Sequence, residues 1–194
     1  MRALVFPDRH VPVSVPTLDS EDSRSRVASG ESIWQQDRVW RGQVEALRNL
    51  PAGLRVMELC GGLSSGYLAL KSLLGSEKVT LAGYWDSDSG LRPGVESTHG
   101  SDPNVHLGSD GNLLNWPDVE QFPDCEVVVA GPPCPPWSDM GVGQSFDDPR
   151  SDVFWKVVDI VAWLGQRDEL LVFAIENVKG VMKKNRAALK LHLQ

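Results

Sequence analysis

Apolar positions in this chain fall into short unbroken runs, separated by stretches where they recur at helical spacing. Leu54–Leu59, Val79–Trp85, Val127–Ala130 and Leu170–Ile175 read as four strands. Between them, Tyr67, Leu68, Leu70, Leu73 and Leu74 mark a helix that stops at Gly75. Asp152–Leu164 carries Val153, Phe154, Val157, Val158, Ile160 and Val161, a helix with a broad apolar face. Residues 89–125 read as loop-rich, with a weak helical tendency over Asn115–Gln121. Upstream, Ile33, Trp40, Val44 and Leu47 sit at helical spacing within Glu31–Leu50, and Pro51 and Gly53 end that helix. The tail Lys183–Gln194 is basic and reads as helical. Continuous apolar strands alternating with helices predict an α/β fold, a doubly wound and mostly parallel sheet covered on both faces.

Composition adds an arm to this picture. Residues 1–30 are rich in Pro, Ser, Asp and Arg and hold too little apolar area to offset the entropy of ordering, so a disordered or extended arm is expected. The organisation read from the chain is an arm over 1–30, an accessory helix over 31–53 and a main domain over 54–194. A chain of 194 residues, 41% hydrophobic and 23% charged, suits one domain with a real core. No apolar run is long enough to span a bilayer, and the N-terminus lacks a signal-peptide core. Cys60, Cys125 and Cys134 form no CxxC pair and no metal-ligand spacing, which points to a reducing, intracellular setting: the nucleus in a eukaryote, otherwise the cytoplasm. The formal net charge of −7 has the wrong sign for a chain that grips nucleic acid by itself.

Chemistry concentrates at two places. Val127–Ala130 empties into Gly131-Pro132-Pro133-Cys134-Pro135-Pro136-Trp137-Ser138, and prolines on both sides hold the thiol in few orientations. A rigid loop at the end of a buried strand suits a nucleophile. Leu170–Ile175 ends in Glu176-Asn177-Val178, placing a carboxylate at another strand end. The second place is the first strand's exit, Glu58-Leu59-Cys60-Gly61-Gly62-Leu63-Ser64-Ser65-Gly66. Small residues there let a backbone approach a ligand, and the next helix offers free N–H groups at its start. Asp86 or Asp88, at the end of the next strand, is placed to accept hydrogen bonds from a ribose diol, the usual arrangement for an acid about 20 residues past a Gly-rich loop. Asp110 is a candidate contact to an adenine amino group.

The order Gly-rich loop, strand-end acid, Asp110, Pro-Pro-Cys, Asp148-Pro149-Arg150-Ser151-Asp152 and Ile175-Glu176-Asn177-Val178 resembles the cytosine-5 DNA methyltransferase family over about residues 54–182. The resemblance implies a Rossmann-like, S-adenosylmethionine-dependent methyltransferase fold, represented by its N-terminal cofactor and catalytic half. It implies Cys134 and Glu176 as catalytic residues. Glu58, Cys60, Gly61, Gly62, Leu63, Ser64, Ser65, Asp86, Asp110 and Pro132 would contact S-adenosylmethionine, and Ser138, Arg150 and Asn177 the substrate. The reaction implied is methyl transfer to C5 of a cytosine flipped out of its duplex. The chain departs from the family pattern at Cys60, where an aromatic is usual, at Ser64 for a glycine, at Pro135 for a glutamine and at Asp86 for a glutamate. The family's Gln-x-Arg-x-Arg strand, target-recognition domain and closing helix are not visible, so DNA (or tRNA) would be held by a recognition domain outside this chain or by a partner subunit. The alternatives are a tRNA cytosine-5 methyltransferase and an inactive, methyltransferase-like regulator. An amino-group methyltransferase would carry an Asp/Asn-Pro-Pro-aromatic loop, and a thiol oxidoreductase a resolving cysteine nearby.

Overall fold

The computed structural model describes residues 45, 47, 49, 53–135, 148–167 and 170–177. Among the described residues, five strands form one sheet: β1 (Leu54–Leu59), β2 (Val79–Asp86), β3 (Val105–Leu107), β4 (Val127–Ala130) and β5 (Val172–Ile175). Their order is β3-β2-β1-β4-β5 and every pairing is parallel. Three helices connect them: α1 (Ser65–Leu74), α2 (Arg92–His99) and α3 (Asp152–Gln166). This is the doubly wound order, in which the chain leaves β1 first to one side and later to the other.

Burial explains the layers. Leu54, Val56, Val79 and Val127 pack with Tyr67 and Leu74 of α1 on one face. Met57, Leu59, Val128, Ala130 and Phe173 pack with Val157, Ile160, Val161 and Leu164 of α3 on the other. Full burial of each large side chain contributes about 1.5–3 kcal/mol, so both faces must be covered. Leu47, in a helical segment with Glu45, adds to the α1 layer. The remainder of the accessory helix, the arm and the basic tail lie outside the described residues.

Between Val56 and Met57 the β1–β2 register slips by one, leaving Ala82 unmatched as a bulge. Tyr84 therefore lies on the α1/α2 face with Val95 and Leu107, and Trp85 on the α3 face.

The segment 89–125 departs from the loop-rich expectation. It holds α2, β3 and short 3-10 turns, one of which, Val119–Gln121, falls where the weak helical tendency was read, while Leu113–Asn115 ends at the first residue of that stretch. Arg92-Pro93-Gly94 reads as a breaker, yet proline in the first helical turn removes only an N–H that has no partner there anyway. β3 is three residues long and takes its register from Tyr84–Asp86 of β2, so it has no periodicity of its own to read.

Candidate active site

The carboxyl ends of β1 and β4 adjoin at the point where the winding reverses, the usual place for a ligand in such sheets. The loop after β1 is tight because Cys60 (φ 53°), Gly62 (φ 57°) and Ser64 (φ 57°) all take left-handed backbone. Its hydrogen bonds run to β2: Gly61 N–H donates to Trp85 O at 3.2 Å, the Tyr84 hydroxyl donates to Gly62 O at 2.6 Å, and Gly62 N–H donates to Asp86 Oδ2 at 3.0 Å. Gly61 cannot be replaced freely, because a Cβ there would stand 2.4 Å from the Tyr84 ring. Over Gly62, by contrast, a Cβ would meet nothing within 4 Å.

Glu58 turns out to have an internal use. It is 1% exposed, on the α1 face of β1. The Ser64 hydroxyl and Tyr67 N–H (2.9 Å) both donate to its carboxylate, and Gly66 N–H adds a third donor. Burial pushes its pKa up, and these three donors pull against that rise. The expectation of free N–H groups at the start of α1 is therefore corrected: Glu58 takes those of Gly66 and Tyr67. A buried carboxylate needs donors, and a helix start supplies them together with a favourable dipole.

Asp86 lies where a ribose acceptor would be needed, but it also serves the loop. Oδ2 accepts from Gly62 N–H and Oδ1 from Asp88 N–H at 2.9 Å. An ionised carboxylate has about four acceptor sites, so capacity for a ligand remains. Asp86 also raises the Cys60 thiol, after burial as the larger cause, to about 12. Cys60 is thus a neutral packing group. Leu63 and Ser65 are exposed on the loop, whereas Ser64 is fully buried.

The loop after β4 is tied to both neighbours. Gly131 N–H donates to Leu59 O at 3.1 Å, and Glu176 N–H donates to Ala130 O at 2.8 Å. The Asn177 side chain donates from Nδ2 to Pro132 O at 3.0 Å, so this residue holds two loops together. Pro132 is buried, while Cys134 and Glu176 are both exposed at this same end of the sheet. The structure thus brings Cys134, Glu176 and Asn177 onto two stitched loops beside the loop carrying Gly61 and Gly62. Ser138 lies outside the described residues, as does Val178.

Two other candidates have local partners. Asp110 accepts from His106 Nδ1 at 2.6 Å, with its side chain 63% exposed, and His106 stacks on Trp85 at a centroid distance of 4.8 Å. Arg150 forks onto Asp148, Nε to Oδ1 at 2.9 Å and Nη2 to Oδ2 at 2.5 Å, which holds the Asp148 carboxyl down at about 2. Its guanidinium is therefore engaged beside its own helix start, and a role at a phosphate or thiolate would have to share it.

The residues that the sequence analysis missed are Tyr84 and His99. His99 Nε2 lies 2.6 Å from Ser64 Oγ, with its ring 4.8 Å from that of Tyr67 and 5.9 Å from that of Tyr84. Neither stands in a recognisable motif, and each reaches the loop only through the fold.

Comparison with known proteins adds the following. The model of a family described as C-5 cytosine-specific DNA methylase matches residues 108–193. The type II methylase M.HgiEI of Herpetosiphon aurantiacus is 39% identical over 87 residues, 44% of this chain and 19% of that protein. The type II methyltransferase M.MthTI of Methanothermobacter thermautotrophicus is 34% identical over 71 residues, 37% of this chain and 20% of that protein. The orphan methyltransferase M.Rho11sI of Bacillus phage rho11s is 25% identical over 133 residues, 69% of this chain and 24% of that protein. The matched part of this chain spans about a fifth to a quarter of the length of these relatives. A solved structure of a Spodoptera frugiperda DNMT2 mutant has a TM-score of 0.49 and 20% identity, over 71% of this chain and 39% of that one. That likeness is too loose to add to the parallel-sheet topology described above.

Proposed function

We propose that this chain belongs to the C-5 cytosine-specific DNA methylase family and carries the cofactor and catalytic part of an enzyme that methylates C5 of cytosine in DNA. One observation supports this reading above the others. The hydrogen bonds Glu176 N–H to Ala130 O and Asn177 Nδ2 to Pro132 O hold the Cys134 loop and the Glu176 loop together, next to an open glycine backbone.

The residues at the end of β1 fit S-adenosylmethionine. The space over Gly62 is open, and the Asp86 carboxylate stands beside it with acceptor sites to spare. When bound, this cofactor supplies an electrophilic methyl group. The chain's own groups do the rest. The Cys134 thiolate adds to C6 of the cytosine, forming a C–S bond as the C5–C6 π pair moves into the ring. Glu176 hydrogen-bonds N3 and the exocyclic amine, stabilising the charge that develops there. After methylation at C5, loss of the C5 proton returns an electron pair to the ring and expels the thiolate. Proline on either side of Cys134 limits the directions its sulfur takes, so less ordering is left to binding. With a net charge of −7, the grip on the DNA backbone is assigned to a recognition domain beyond these residues, in the same polypeptide or in a partner subunit.

A 5-fluorocytosine oligonucleotide tests the reading. With S-adenosylmethionine present, the fluorine cannot leave as a proton does, so a covalent protein–DNA adduct should accumulate and should vanish in Cys134→Ser. Adduct on a tRNA substrate but not on DNA would move the assignment to tRNA. Cofactor binding without adduct on either would favour a regulator.

A further inference from the structure

We propose that His99, at the end of α2, is a positioning residue for the loop after β1, acting through the hydroxyl of Ser64. The proposal takes its purpose, a loop kept ready for the cofactor, from the function proposed above.

Ser64 is the pivot of that loop. Its N–H donates to Gly61 O at 3.0 Å, closing the turn, and its carbonyl accepts from Leu68 N–H at 3.0 Å, opening α1. It does this at φ 57°, a left-handed conformation that is unfavourable for a residue with a Cβ. Such a conformation persists only where the surroundings over-determine it. Two side chains do so here. The Ser64 hydroxyl donates to the Glu58 carboxylate, and its oxygen lies 2.6 Å from His99 Nε2.

The direction of the second bond follows from the first. A hydroxyl has one hydrogen, and Glu58 receives it, so toward His99 the Ser64 oxygen accepts and Nε2 carries the proton. The neutral ring is then the Nε2–H tautomer. Ring contacts with Tyr67 and Tyr84 restrict the imidazole, and Tyr84 itself donates to Gly62 O. α2 and β2 thus hold neighbouring points of one loop, Ser64 through His99 and Gly62 through Tyr84.

The test compares the full chain with His99→Leu, which removes the donor, and His99→Gln, whose amide nitrogen replaces Nε2. Hydrogen exchange at residues 61–64 should rise about ten-fold in His99→Leu and return to within about two-fold of wild type in His99→Gln. Unchanged exchange there, or an equal rise across the whole sheet, would overturn the proposal. Nitrogen NMR of the wild-type ring supplies a measurement that needs no variant: Nε2–H is expected, and an Nδ1–H tautomer refutes the bond. Titration with S-adenosylmethionine separates the two levels. Weaker binding in His99→Leu with recovery in His99→Gln supports both. A wild-type chain that binds no cofactor defeats the proposed function, while loop exchange still decides the role of His99.

Discussion

The loops after β1 and β4 leave adjacent strands at the same end of the sheet, yet they are built in opposite ways. In the first, the polar groups of Glu58, Ser64 and Asp86 are turned onto the loop's own backbone and side chains, and the cysteine is half-buried beside a carboxylate. In the second, an exposed cysteine stands on proline-stiffened backbone, and the fastening is done by carbonyls and by a neighbouring strand's end. A loop that must offer backbone to a ligand gains from internal hydrogen bonds that set its shape. A loop that must offer a nucleophile gains from a stiff main chain with its side chain left open. The two cysteines show how environment alone separates a packing group from an exposed thiol.

Thiol alkylation at pH 8 puts this contrast at its largest. Cys134 should react at least about 100-fold faster than Cys60 or Cys125, both pushed up to about 12 by burial. Mass spectrometry of timed aliquots checks it, and comparable rates in the native chain would break the comparison. The two glutamates come next. Glu58→Ala strips donors of their buried acceptor and should lower unfolding stability by about 3 kcal/mol, whereas Glu176→Ala, at an exposed position, should change it by less than about 0.5 kcal/mol in urea titrations. Two glycines sharpen the point further. Gly61→Ala drives a methyl into the Tyr84 ring and should cost about 2 kcal/mol, while Gly131→Ala, 3.4 Å from Cys60 O, should cost less. The smallest effect is a pH slope. Burial lowers the His99 pKa, so the unfolded chain takes up that proton first as pH falls. Stability from this group is complete above the ordinary histidine value of about 6.5 and is lost as pH drops through the lower folded value. Thermal scans across that range should show a shallow acid-side decline that His99→Gln removes.

Much of this was legible from residue order. Strands with unbroken apolar runs, such as Val127–Ala130, and helices with a wide apolar face, such as Asp152–Gln166, are written in local pattern. The glycine loop and the cysteine loop were found at strand ends because strand, then small or proline-rich residues, is itself a local signal. β5 begins two residues later than its apolar run, for the ladder with β4 opens only at the Val127–Val172 pair, and Leu171 N–H just before it turns to Glu126 O. α2 and β3 were not legible, for one hides behind a proline-glycine pair and the other is defined by its partner strand. Glu58 was read as a ligand contact because a strand-end acid beside glycines suggests one. The signal against that reading was its place inside Leu54-Arg55-Val56-Met57-Glu58-Leu59, where a carboxylate facing a helix layer must find donors within the protein. His99 had no signal at all, because its bond to Ser64 spans 35 residues and depends on a helix that the pattern did not show.

The bulge at Ala82 has a consequence for how this chain tolerates change. It acts as a one-step phase shift, after which odd and even positions of β2 exchange sides. Were the ladder to run on evenly from the Val56–Leu81 pair with Ala82 taken into it, Tyr84 would stand opposite Leu59, and the phenol that moors Gly62 would swing into the opposite layer while an indole took its place. Every atom of the glycine loop would still be encoded, yet the loop would have lost its anchorage to an arithmetic error several residues away.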